Sequence, residues 1–149
     1  MKEKIYRAFV SATRNVFNLM LNISDISDHP VEEFNHEDVV DISIGIVGDL
    51  QGEVVYRFPV PTSLNMVQIM SGMEFEKVDA FVTSAVSEIA NIISGNVLSV
   101  LSDSEMNCDI LPPEQRKLDD SKEYEVKTGS CLLTNIGNIC LEIRLNQAS

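Results

Sequence analysis

Within residues 39–58 two runs place apolar side chains on every second position, a period that a half-buried strand satisfies and a helix does not. Ile42, Ile44 and Ile46 alternate with Asp41, Ser43 and Gly45. After a turn carrying Gly48 and Gly52, the alternation resumes at Val54, Tyr56 and Phe58, which predicts a β-hairpin. A lone hairpin with one apolar face is marginal in water, so the rest of the chain must supply more strands and a cover. A second hairpin is predicted with arms over residues 124–135 and 139–146, turning at Asn135-Ile136-Gly137-Asn138. Its last arm puts Ile139, Leu141, Ile143 and Leu145 on one face and Cys140, Glu142, Arg144 and Asn146 on the other.

Helical periodicity supplies the cover. Over residues 2–23, Ile5, Phe9, Ala12, Val16, Met20 and Ile23 recur at helical spacing. A polar loop with His29-Pro30 follows over residues 24–35. After Pro59 and Pro61, Thr62 or Ser63 can cap a short helix running through Met70 and ending at Gly72. Residues 79–102 form the longest helical pattern, followed by a strand over 107–111, Pro112-Pro113 and a charged connector over 114–122. The expectation is a single α+β domain spanning residues 1–149. Its antiparallel sheet, two hairpins plus a strand, packs against helices that include one long central helix.

With 44% hydrophobic residues the chain can fill a core, and its net charge of −12 decides against some partners. A nucleic-acid binder needs a basic surface to displace counterions, and an anionic membrane repels an acidic one, so neither is expected. No apolar run reaches the roughly 18 residues of a membrane span. Cys108, Cys131 and Cys140 stand at no short spacing, so no disulfide framework is expected and a reduced, cytoplasmic setting is the simpler inference. The acid is concentrated in Asp25, Asp28, Glu32, Glu33, Glu37, Asp38, Asp41, Asp49 and Glu53, which read as a solvated loop and the polar side of a hairpin. His29 and His36 lack metal-ligand spacing, and no glycine pattern makes a phosphate loop.

The long helix carries the chemistry. On a wheel of about 100° per residue, Val82, Val86, Ile89, Ile93, Val97 and Val100 share one sector, the core stripe. Ser84, Ser87, Glu88, Asn91 and Gly95 occupy the opposite side. Glu88 and Asn91 are neighbours on that face, and Gly95, one turn on, lets another backbone approach. Interior Gly and Asn each cost roughly 0.5–1 kcal/mol against Ala, more than a plain solvated face would need to spend.

The run Glu88-Ile-Ala-Asn91-Ile-Ile-Ser-Gly95 resembles the Glu-x-x-Asn-x-x-x-Gly helix of the CheC/CheX/FliY phosphatases, which dephosphorylate the chemotaxis response regulator CheY. The arm beginning at Gly52, the break at Met70–Gly72 and Ile110-Leu-Pro112 resemble the same family. A single motif makes the chain similar to the CheX branch. Asn96, where a small residue is usual, and Ala90, where larger ones occur, depart from the pattern. The resemblance implies hydrolysis of the aspartyl phosphate of a CheY-like receiver. Asn91 would position the attacking water, Glu88 would dock to the receiver's active-site Lys, and Ser84, Ser87 and Gly95 would line the docking face. It further implies a homodimer, no cofactor of its own, and Mg²⁺ supplied by the receiver. A non-catalytic CheX-like module binding a response regulator through the same face is the alternative.

Overall fold

A computed structural model describes residues 2–31, 38–115 and 122–148. The order is α1 (Lys2–Leu21), β1 (Ser27–Val31), β2 (Val39–Gly48), β3 (Leu50–Pro59), α2 (Val60–Ser71), α3 (Ala80–Asp103), β4 (Cys108–Ile110), β5 (Glu114–Gln115), β6 (Val126–Thr134) and β7 (Gly137–Gln147). The strands form one antiparallel sheet in the order β1-β6-β7-β3-β2-β4, with β5 also on β2. Its alternation works as the sequence pattern predicts. Ile42, Ile44, Val54, Tyr56, Phe58, Leu141 and Ile143 are fully buried and share one core with α1, α2 and α3. The expected α+β architecture is therefore the observed one.

Local chemistry explains the boundaries. α1 stops where Asn22 takes a left-handed φ of 56°, a conformation Asn tolerates better than most residues. Ile23 is buried beyond the helix end, and Met20, assigned to the stripe, is 41% exposed. α2 begins earlier than Thr62 or Ser63: Pro59 is its N-cap, and Pro61 fits the first turn, where helix N–H groups lack partners. Gly72, at φ 74°, closes it.

Three elements depart from expectation. The loop over 24–35 contains the edge strand β1, which tolerates Pro30 because an edge leaves some N–H groups unpaired. The connector over 114–122 contributes β5. The expected unpaired cysteines give way to a disulfide between Cys131 and Cys140, with Cys108 free. The cause is hairpin register. Thr134 pairs with Gly137, so the turn holds just Asn135 and Ile136, and this puts Cys131 directly opposite Cys140. The wider turn expected from the sequence would have set them out of register.

The far side of the sheet is charged and nonetheless buried. Arg57 donates twice to Asp41, at 2.7 Å each. Ser43 donates to Glu53 at 2.8 Å, while Arg144 lies 3.0 Å from Glu142 and 3.7 Å from Glu53. Arg144 is also within 5.9 Å of the Tyr124 ring centre. Asp28 accepts from Tyr6 and Arg14, and Asp49 accepts from the Asn107 N–H. The acidic stretch is thus not simply solvated: Asp28, Asp41, Asp49 and Glu53 each hold a structural partner. Glu32, Glu33, His36 and Glu37 lie outside the described residues.

Asp41→Ala breaks a buried, doubly hydrogen-bonded charge pair and should destabilise the fold by about 3 kcal/mol. Urea unfolding followed by circular dichroism measures it, and a loss under about 1 kcal/mol would mean that solvent compensates Arg57. Alkylation under native, oxidising conditions should label Cys108 alone, and mass spectrometry after reduction should find all three cysteines labelled.

Candidate active site

The site is built on α3. Asp79 caps its N-terminus by accepting from the Val82 N–H at 2.9 Å. Val82, Val86, Ile89, Ile93 and Val97 are buried as the wheel requires. The buried sector is wider than expected: Ala90, Ser94 and Leu101 join it, while Val100 is 42% exposed. The stripe is rotated toward Ala90, Ser94 and Leu101, so Val100 in the last turns lies uncovered. By length and composition α3 could cross a membrane, but here its apolar stripe is spent on the core shared with α1 and the sheet.

A buried polar contact sets the rotation of α3. The Tyr56 hydroxyl, rising from the core face of β3, shares a 2.9 Å hydrogen bond with the Ser94 hydroxyl. Both residues are essentially inaccessible, and burial pushes the Tyr56 phenol well above its ordinary range, with the Ser94 hydrogen bond working weakly the other way. Sequence inspection missed this pair. The available signal was Tyr56 itself, because a phenol on a core-facing strand position needs a buried partner.

With the stripe held inward, the opposite face turns out. Glu88 and Ser84 are exposed, and Ser87, Asn91 and Gly95 are half-buried. All five therefore occupy one accessible helix surface. Among the described residues, the side chains of Glu88 and Asn91 have no hydrogen-bond or ion-pair partner. A Cβ built at Gly95 meets nothing within 4 Å, so the bare backbone there is open to an approaching surface. Glu88 is the single carboxylate of this face, and its carboxamide neighbour Asn91 can both donate and accept. Among the described residues, the face is an exposed to half-buried helix flank. The concavity lined by Ser43, Glu53, Leu111 and Tyr124 lies on the far side of the sheet. An open helix flank suits a macromolecular substrate better than a small molecule, which requires enclosure.

The sequence profile of the family described as chemotaxis phosphatase CheX matches residues 40–134. The chain belongs to the CheX family. The matched span runs from β2 through α3 to β6 and so contains every residue of this face. A CheX-family relative from Thermotoga maritima, described as CheY-P phosphatase CheX, is 35% identical over 71 residues, 47% of this chain. That stretch spans 46% of the relative's own length. Among solved structures, the CheX chemotaxis protein of Vibrio vulnificus superposes with a TM-score of 0.80 at 22% identity, covering 95% of this chain and 99% of that one. CheX of Borrelia burgdorferi, in a complex with CheY, BeF3 and magnesium, gives 0.81 at 20% identity, covering 95% and 97%. FliY of Thermotoga maritima gives 0.68 at 18% identity, covering 96% and 89%. These likenesses establish a CheX fold.

Because Gly95 is helical and its Cβ position is empty, Gly95→Ala should raise stability by about 0.5–1 kcal/mol. Thermal unfolding reads the change, and destabilisation would show that the helix needs glycine for its own packing. Tyr56→Phe leaves the Ser94 hydroxyl buried and unpaired, and should cost about 1–3 kcal/mol in the same measurement.

Proposed function

We propose that this chain is a phosphatase that hydrolyses the aspartyl phosphate of a CheY-like receiver domain and so terminates a chemotaxis or two-component signal. The observation that carries the reading is the Glu88–Asn91 pair, held outward on a packed helix of a CheX-family chain. The relative described as CheY-P phosphatase CheX and the Borrelia CheX–CheY complex support it.

An aspartyl phosphate is an acyl phosphate, activated already, and hydrolysis lacks chiefly a water in line with the scissile bond. The Asn91 carboxamide accepts a hydrogen bond from that water through its oxygen and donates to a phosphoryl oxygen through its nitrogen. It positions the nucleophile without adding negative charge beside the phosphate. Glu88, three residues away on the same flank, pairs with the receiver's active-site Lys and sets the docking register. Ser84, Ser87 and Gly95 are small enough to let the receiver close on the helix. Among the described residues no group of three or more His, Cys, Asp or Glu converges to hold a metal ion. The reading leaves Mg²⁺ with the receiver, where it would neutralise phosphoryl charge. Both proteins act in the cytoplasm in this reading, and the phosphatase works as a homodimer.

The decisive experiment phosphorylates receivers with a small acyl-phosphate donor and follows the decay of the phosphate with and without this protein. Accelerated decay is expected. Asn91→Ala should lower the maximal rate by about a hundred-fold while leaving the melting curve intact, since the side chain lies off the core stripe. Glu88→Ala should raise the receiver concentration needed for half-maximal rate by about ten-fold. Binding with no effect on decay would assign the chain to the non-catalytic module.

A further inference from the structure

The face that carries Glu88 and Asn91 has a large apolar member at its N-terminal end. Phe81 lies on the same flank of α3, within about 20° of Glu88 on the helical wheel and about 10 Å along the axis. Its side chain is 53% exposed. The ring is not loose. It stacks on Phe75, with centroids 5.3 Å apart and planes 10° from parallel, and Phe75 in turn packs against the core. Met73, two residues before Phe75, is 54% exposed. The core does not need Phe81, because the buried sector of α3 is filled by Val82, Val86 and Ile89.

We propose that Phe81 is the apolar anchor of receiver docking: it packs against an apolar side chain that the receiver presents about 10 Å from its active-site Lys. The inference rests on the phosphatase reading above. Two arguments support that occupant. Phe81, Ser84, Glu88, Asn91 and Gly95 form one continuous strip, so a partner seated on Glu88 and Asn91 must also cover Phe81 or leave it stranded at the rim. Charge is the second argument. A pocket that holds a phosphorylated Asp and Mg²⁺ is lined with carboxylates, and this chain carries a net charge of −12. Long-range electrostatics therefore oppose the encounter, and a single Glu–Lys contact cannot supply the affinity alone. A pre-positioned aromatic ring supplies it at little entropic cost, as anchor residues of protein interfaces do. The other members of the strip are small or polar and give orientation.

Steady-state dephosphorylation with wild-type protein and Phe81→Ala tests the proposal, with calorimetric titration of a beryllofluoride-charged receiver as a separate binding readout. The variant should raise KM and Kd together by about ten-fold and leave kcat within about two-fold, and Phe81→Leu should recover most of the loss. Unchanged KM and Kd would overturn the proposal. So would a fall in kcat at constant KM, which would make Phe81 a support for Asn91. If Phe81→Ala loses its melting transition, Ser84→Arg applies the same test, because bulk one turn along should lift the receiver off the anchor and raise KM and Kd alike. Unchanged KM and Kd for Ser84→Arg would then overturn the proposal. Failure of the wild-type protein both to bind and to accelerate would overturn the phosphatase reading and the anchor with it. Normal wild-type activity with an indifferent Phe81→Ala would remove the anchor alone.

Discussion

The rotation of α3 about its own axis is the constraint on which the rest of the molecule depends. A turn of some tens of degrees would bury Glu88 or expose Ile89. An apolar stripe alone tolerates such a shift, because dispersion and hydrophobic burial are not directional. The Tyr56–Ser94 hydrogen bond is directional, and a rotation that broke it would leave two buried hydroxyls unsatisfied. The stripe therefore decides which side of α3 faces the sheet, and the buried hydroxyl pair narrows the angle. The outward pair inherits its aim from that contact one turn away on the inner side.

The charge distribution divides the molecule in a complementary way. The acids of β2, β3 and β7 sit on the face of the sheet remote from α3, tied to Arg57, Arg144 and Lys127. Buried ion pairs contribute little net stability against apolar alternatives, because desolvation cancels much of the attraction. Their consequence here is spatial. Asp41, Glu53 and Glu142 are neutralised on the far face, and the flank of α3 is left with Glu88 as its one carboxylate. An overall charge of −12 is thereby compatible with a docking face of nearly neutral character.

The parts of the fold that repeat a period were legible in the sequence. The alternation around Ile42–Ile46 and Ile139–Leu145 gave both hairpins, and the stripe on α3 gave the outward face by exclusion. What escaped was set by register or by a single long-range contact. β1 is short, edge-bound and interrupted by Pro30, so neither period nor propensity marks it. The Cys131–Cys140 pair depends on a turn of two residues and not four, a difference that local residue preferences do not resolve. Ser94 looks like one more small polar residue of a helix until Tyr56 is placed beneath it, 38 residues away in sequence. Phe81 lies one position before the stripe that begins at Val82, and its exposure and its stacking on Phe75 are set by the fold and not by a period.

The shape of the α3 face limits the kind of catalysis it can perform. An enclosed pocket can exclude water and perturb the acidity of its groups; an open helix flank can do neither by itself. A strong base or nucleophile would have no environment here to activate it, and a carboxamide needs none, since its hydrogen-bonding capacity does not depend on ionisation. The substrate best matched to such a face is one that brings its own activated bond, metal ion and enclosing walls. It would then lack little beyond an oriented water and a fixed register. The arrangement on α3 is economical in that sense: one amide, one carboxylate, and backbone bare enough at Gly95 for the partner to complete the site.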